Sequence, residues 1–397
     1  MEISLKEKKI NDQQSLLLEG TYAVAYAVKL CRVKVIAVYP ITPSTAIAEK
    51  LAEMVGDGEL DAKYIKVESE HSSMASLIGA SHVGVRTFTA TSSHGLAYMH
   101  ETLHWASGAR LPIVMSNTNR SLGSPWSILA EQTDSLSQRD TGWIQFYCES
   151  NQEIFDTIIQ AYRIGEQVYI PVMVNMDAFF STHVLENIVI PSQEMVDSYL
   201  PEFKPPIKID LNKPSAFGGV APGDSYFEFK YKMEEDMLKA VDVAVKADNE
   251  FEEIFGRKYG IIDCYLCEDA EVVLVMTGTA AGTARMMIDG MRDKGKKIGL
   301  MRIRLFRPFP SKAIINVLKN KVKIAVIDRN ISRGVGGIFA HELRAAFHNT
   351  KYHPPIFGFI AGLGGRDITP GQIENALNYT IESDYPDREA YWLDVDI

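Results

Sequence analysis

Tyr39-Pro40-Ile41-Thr42-Pro43-Ser44-Thr45 follows directly on an apolar run, 34–39, and opens an amphipathic segment, 44–55. The order is strand, proline-braced turn, helix. The arrangement recurs three times. Val67-Glu68-Ser69-Glu70-His71 ends a second run, Thr89-Ala90-Thr91-Ser92-Ser93-His94-Gly95 a third, and Met115-Ser116-Asn117-Thr118-Asn119-Arg120 a fourth. Four successive βα units, each with a polar cluster where strand gives way to loop, predict an α/β domain with a doubly wound parallel sheet. The carboxyl ends of such strands converge on one crevice, where ligands bind. A hydroxyl, an acid and an arginine on one rim suit an anion and a cofactor.

Working outward, strands are expected at 63–69, 86–91, 112–117 and 169–176, with helices at 72–83, 95–107 and 151–168 and a long polar loop at 121–142. Pro191, Pro201, Pro205, Pro206, Pro214 and Pro222 crowd the next stretch. Proline at that density opposes helix and central strand, so 190–225 reads as an extended connector. A long charged helix is expected at 227–255. The α/β alternation then restarts. Strands are expected at 272–277, 298–303, 323–328 and 355–360, and helices at 281–294, 311–318 and 338–347. The expected division is 1–190, a connector with the long helix over 191–258, and a smaller α/β domain over 259–397.

At 397 residues with a formal net charge of -10, the chain has no basic run for nucleic acid or an anionic membrane surface. The charged start, Met1-Glu2-Ile3-Ser4-Leu5-Lys6-Glu7-Lys8-Lys9, leads into no apolar stretch, so no signal peptide is expected. No segment has the length of a membrane span. Four cysteines, Cys31, Cys148, Cys264 and Cys267, do not make a disulfide framework. A cytoplasmic location is expected.

The candidate site residues each have a plain structural reading beside the chemical one. Thr42, between Pro40 and Pro43, has its hydroxyl held in one direction; equally, this is a rigid turn with Ser44 or Thr45 capping the helix. Glu68 and Glu70 alternate along a strand end and so are expected on one face. There they are solvated, or one of them hydrogen-bonds a heterocycle nitrogen, which needs a raised pKa or a shared proton. Arg120 is a surface arginine or, through its planar fork, a carboxylate clamp.

Other patterns are weaker. His100-Glu101-Thr102-Leu103-His104 matches H-E-x-x-H, the zinc-hydrolase signature. Apolar neighbours Leu96, Met99, Leu103 and Trp105 suit a packed helix instead, and no third ligand stands at a fitting distance. Cys264 and Cys267 form a single C-x-x-C with no second pair, short of the four ligands of a metal centre. Gly56-Asp57-Gly58 follows a helix and reads as a turn. The glycines at 278–282 and 334–337 resemble phosphate cradles but suit close helix–strand packing.

In order and spacing, the segments above resemble the α subunits of pyruvate:ferredoxin oxidoreductases, within the 2-oxoacid:ferredoxin oxidoreductase family. Further matching stretches are Ser107-Gly108-Ala109-Arg110-Leu111-Pro112, Asp134-Ser135-Leu136-Ser137-Gln138-Arg139-Asp140-Thr141-Gly142-Trp143, Arg304-Leu305-Phe306-Arg307-Pro308-Phe309-Pro310 and Arg333-Gly334-Val335-Gly336-Gly337. The resemblance implies a thiamine-diphosphate pyrimidine-binding domain followed by a transketolase C-terminal-like domain. It implies a β subunit holding the diphosphate and Mg²⁺, [4Fe-4S] clusters on β and δ-type chains, a γ subunit, and ferredoxin and coenzyme A as reaction partners. Glu70 would hydrogen-bond the pyrimidine N1′ of thiamine diphosphate, beside Pro40 and Ile41. Thr42 and Arg120 would hold the substrate carboxylate; Glu68 and His71 are neighbours without a role. No metal ligand is expected on this chain. Pyruvate is the expected 2-oxoacid, since Thr42 suits a short apolar tail and no extra basic residue suits oxalate. The loop 123–132, with Trp126, shapes the tail pocket or anchors a partner. Alternatives are 2-oxoisovalerate, phenylglyoxylate or 2-oxoglutarate as substrate, a non-catalytic paralogue, and an H-E-x-x-H zinc hydrolase.

Overall fold

The computed structural model describes residues 13–395. The charged segment 1–9 lies outside them. The chain opens with β1 (Gln13–Glu19), α1 (Gly20–Leu30), β2 (Val35–Val38), α2 (Thr45–Gly56), β3 (Lys63–Lys66), α3 (Glu70–His82), β4 (Thr87–Thr91), α4 (Ser93–Tyr98) and α5 (His100–Gly108). It continues through β5 (Val114–Asn119), α6 (Thr133–Leu136), β6 (Ile144–Tyr147), α7 (Asn151–Val168), β7 (Val172–Asp177), β8 (Leu185–Pro191), α8 (Gln193–Tyr199) and α9 (Gly223–Phe255). The remainder is β9 (Ile262–Tyr265), β10 (Val272–Met276), α10 (Ala280–Asp293), β11 (Ile298–Ile303), β12 (Leu305–Arg307), α11 (Ser311–Leu318), β13 (Lys323–Asp328), α12 (Ile338–His348), β14 (Ile356–Ile360), α13 (Pro370–Glu382) and β15 (Tyr391–Trp392).

The first sheet runs β12-β6-β7-β5-β4-β2-β3, parallel except for β12 against β6. From β2 the chain steps outward to β3, then returns past β2 to β4. Its topological switch point therefore lies between β2 and β4, and a crevice opens there at the strands' carboxyl ends. The helices follow the switch. Residues of α1, α2 and α7 share one apolar core, and residues of α3, α4 and α5 another. Strands β4, β5 and β7 are buried along their whole length, as a sheet covered on both faces requires. Their last residues are nonetheless polar: Thr89, Thr91, Asn117, Asn119, Asn175 and Asp177 are all buried.

The second sheet runs β15-β14-β13-β10-β11-β9, parallel except for the edge strand β9. Two networks join the sheets. Gln132 Nε2 and the Thr279 amide and hydroxyl donate to Asp177 at 3.0, 2.9 and 2.7 Å. Buried Arg302 and Arg304 both meet the Glu153 carboxylate, at 3.0 and 2.9 Å. Gly278 takes φ +73°, and a Cβ there would lie 2.5 Å from Asp177 Oδ2. Gly278 thus permits close packing between the sheets, and Gly337 permits close packing of α12 against Asp328 within the second.

Several expectations need correction. The proline-rich 190–225 is not extended throughout, because the Ser192 side chain accepts from the Met195 amide and starts α8. The long helix starts at Gly223, four residues before the expected start, with Pro222 as its N-cap. The expected helix 95–107 divides at Met99 into α4 and α5. The loop 121–142 carries the short helix α6. Strands β1, β6, β8, β9, β12 and β15 were not expected. Two of these, β9 and β12, join their sheets antiparallel and at an edge, where pairing and not apolar periodicity defines the strand.

Candidate functional site

Glu68 and Glu70 do not share a face. Strand β3 ends at Lys66, and Ser69 caps α3 by accepting from the Ser72 amide at 3.2 Å. Glu70 becomes the first residue of a helix and Glu68 stays in the loop, exposed and bonded to the Ser72 hydroxyl. Glu70 is 7% exposed, and among the described residues its carboxylate has no hydrogen bond from another side chain. Burial pushes its carboxyl above the usual carboxylate range, against its own backbone N–H. The position depends on Gly95: a Cβ there would lie 2.5 Å from Glu70 Oε1 and 2.6 Å from Thr91 Oγ1.

Arg120 follows β5 and is 7% exposed. Its Nη1 donates to the Thr42 carbonyl at 2.7 Å, so arginine and threonine do come together. The Trp126 ring covers the guanidinium at 5.3 Å, and Trp126 is itself 60% exposed. Burial lowers the Arg120 pKa, opposed by the nearby Asp134 charge. Thr42 is exposed, as are Tyr39 and Pro40, and Ile41 is half-buried. Neither Ser44 nor Thr45 caps α2; the Ser44 hydroxyl turns back to the Ile41 carbonyl at 2.8 Å and locks the turn.

Asp134 was not singled out in the sequence. It is wholly buried and accepts from the Ser93 amide at 2.9 Å, the Arg120 amide at 3.1 Å, Asn119 Nδ2 at 2.8 Å and the Ser135 amide at 2.8 Å. It ties together the tips of β4 and β5 and helix α6. Ser93 stands at φ +51°, and its neighbour His94 accepts from the Gly123 amide at 3.1 Å. Burial pushes the Asp134 carboxyl up to about 6, against these donors. Thr133-Asp134-Ser135 gives no local sign of this, because the role lies in contacts across the chain.

A cleft of about 860 Å³ lies at the amino end of the sheet, lined by Lys29, Arg32, Lys34, Asp61 and Arg86. Its charges are already paired, as Lys29 with Glu59 at 2.6 Å and Lys34 with Asp61 at 2.6 Å. Thr42, Glu70 and Arg120 stand instead on the open rim at the carboxyl ends of β2, β3 and β5.

Residues 26–249 match the family model described as pyruvate flavodoxin/ferredoxin oxidoreductase, thiamine diphosphate-binding, and residues 270–373 match pyruvate:ferredoxin oxidoreductase core domain II. The chain belongs to the pyruvate:ferredoxin oxidoreductase family. It is 48% identical to pyruvate synthase subunit PorA of Methanothermobacter thermautotrophicus, over 95% of this chain and 97% of that one. It is 45% identical to ketoisovalerate oxidoreductase subunit VorA of Pyrococcus horikoshii, again over 95% and 97%. The fold is that of the 2-oxoglutarate:ferredoxin oxidoreductase from Magnetococcus marinus (TM-score 0.74, 20% identity), covering 93% of this chain and 65% of that one. A split-gene transketolase shares it more distantly (TM-score 0.55, 12% identity), over 92% and 98%.

Within this oxidoreductase family the open rim fits a thiamine group on one side. Among the described residues Glu70 offers an unshared carboxylate, and Thr91 Oγ1 and Arg120 Nε are buried without partners. The H-E-x-x-H pair reads differently. His100 and His104 lie edge to face at 5.0 Å on the exposed side of α5, and His100 Nδ1 is 2.5 Å from Gln138 Oε1. Among the described residues no three His, Cys, Asp or Glu side chains group to hold a metal. No helix there is long and apolar enough to cross a membrane.

Proposed function

We propose that this chain is the α subunit of a CoA-acylating 2-oxoacid:ferredoxin oxidoreductase acting on pyruvate, and that Glu70, Thr42 and Arg120 are its working residues. What supports the reading is the placement at the strands' carboxyl ends: a buried, unshared carboxylate on the first turn of α3, and after β5 an arginine joined to the Thr42 carbonyl. Thiamine diphosphate, when bound, supplies the nucleophilic carbon and the sink for the electron pair released with CO₂. Glu70 holds a proton at the pyrimidine N1′, as its raised carboxyl favours, with Pro40 and Ile41 against the ring. Arg120 pairs with the substrate carboxylate and the Thr42 hydroxyl orients it until CO₂ leaves. The diphosphate, Mg²⁺ and [4Fe-4S] clusters belong to β and δ-type partners, which with a γ subunit complete a cytoplasmic complex that uses coenzyme A and ferredoxin. The division 1–190, 191–258 and 259–397 accompanies this reading, with β12 crossing back to the first sheet.

Pyruvate rests on the short side chain at Thr42 and on Trp126 over Arg120. Relatives of both pyruvate and ketoisovalerate type make 2-oxoisovalerate the second candidate. The test is the purified native complex with CoA and a viologen acceptor. Pyruvate should give the highest kcat/KM among pyruvate, 2-oxoisovalerate, 2-oxoglutarate and phenylglyoxylate. In the same complex Glu70→Gln should lower turnover by about 10²–10⁴-fold; a variant with normal turnover removes the role given to Glu70.

A further inference from the structure

The pair Cys264 and Cys267 lies away from the rim, at the outer edge of the second sheet. Strand β9 carries Cys264 opposite Met301 of β11. The chain leaves the strand at Tyr265, Leu266 takes φ +53°, and Cys267 turns back beneath it. The turn is held against β11. The Cys267 thiol donates to the Leu300 carbonyl at 3.1 Å, and a Cβ at Gly299 would lie 2.9 Å from Cys267 Cα. Arg292 Nη2 donates to the Leu266 carbonyl at 2.7 Å, and the Lys321 ammonium bonds the Cys267 carbonyl. Both cations bracket the turn, opposed by Asp263 and Glu268.

The two cysteines lie toward one face of the sheet: Cys264 stands opposite Met301, and Met301 and Cys267 belong to the same apolar core. Cys264 is exposed and Cys267 buried. That is the division of labour of a redox dithiol, with one sulfur open to attack and the other behind it to resolve. We propose that Cys264 and Cys267 form a reversible oxidation site for small hydroperoxides, closing to an intramolecular disulfide.

The Cys264 sulfur attacks a peroxide oxygen. An S–O bond forms, the O–O bond breaks, the departing oxygen leaves after protonation as water (from hydrogen peroxide) or an alcohol (from an organic hydroperoxide), and the sulfur is oxidised by two electrons. The Cys267 sulfur then attacks Cys264, forming the S–S bond and releasing the sulfenic oxygen as water. A dithiol reverses the reaction by exchange. Exposure assigns attack to Cys264, and the neighbouring thiol lowers its pKa while raising that of Cys267. Cys31 and Cys148 are buried, and burial pushes both thiols up, Cys148 to about 12, so they serve as internal controls.

The full-length chain, free of iron–sulfur partners, is exposed to hydrogen peroxide, denatured, alkylated and mapped by mass spectrometry. Alkylatable cysteines should fall from four to two, the peptide spanning both residues should lose two hydrogens, and dithiothreitol should restore it. In Cys267→Ser, dimedone should label Cys264; in Cys264→Ser, Cys267 should stay alkylatable. Four alkylated cysteines, under peroxide that oxidises a free thiol standard, would overturn the proposal. So would sulfinic acid at Cys264 beside an unlinked Cys267.

Discussion

At Glu70 one capping event decides the chemistry available. Had β3 run on, Glu68 and Glu70 would share solvent; with Ser69 capping α3, one acid is buried and its carboxyl raised, and the other stays in water. Gly95 keeps the space that the carboxylate fills, so Gly95→Ala should displace it. Turnover of the assembled complex should fall by about 10²-fold, the scale of an ångström-sized misplacement. Thermal unfolding run in parallel separates that loss from misfolding. Asp134 allows a pH test. Its folded carboxyl stands at about 6, above the ordinary value, so the folded state holds its proton more tightly than the unfolded chain. Its contribution to stability therefore falls as pH rises from about 4 to 6 and is level above that. The unfolding free energy of the native chain minus that of Asp134→Asn should decline over this window; a flat difference from denaturant titrations would refute the burial argument.

Among the elements, α3 and α7 do most to shape the site. The Ser69 cap sets where α3 begins, and Ser69→Ala should cost about 1 kcal/mol by denaturant unfolding. The same variant should lower turnover disproportionately, because the first turn of α3 carries Glu70. Helix α7 spans 18 residues, with Ser150 capping the Glu153 amide and Tyr169 ending it in the left-handed region. It is buried along one side by apolar residues, and on the other by Glu153, which meets two arginines from the second sheet.

For the whole molecule, that meeting is the main polar joint. Arg302, Arg304 and Glu153 are nearly wholly buried, so removal of the acid takes from Arg304 its carboxylate partner among the described residues and leaves Arg302 to Glu149 at 3.1 Å. Glu153→Ala should cost about 3–5 kcal/mol of stability, read as a lowered denaturation midpoint. The second sheet also supports the rim, where the Gly365 amide donates to the Ala130 carbonyl at 2.8 Å and Ser127 Oγ to the Gly364 carbonyl at 3.3 Å. Loosening the joint should therefore raise the KM for the 2-oxoacid, through the loop that carries Trp126.

The sequence by itself determined the doubly wound class, most parallel strands and the helices behind them. It also determined that Thr42, Glu70 and Arg120 stand at strand or helix ends. Apolar periodicity and turn chemistry are local, and a buried parallel sheet writes both plainly into the chain. The edge strands β9 and β12 and the short helix α6 were decided by pairing and packing with distant segments. So were the parting of Glu68 from Glu70, the close fit of Gly95, and the five backbone and side-chain donors gathered on or near Asp134. Each depends on groups far apart in sequence, and burial, which sets their charge and direction, exists only once the layers have closed.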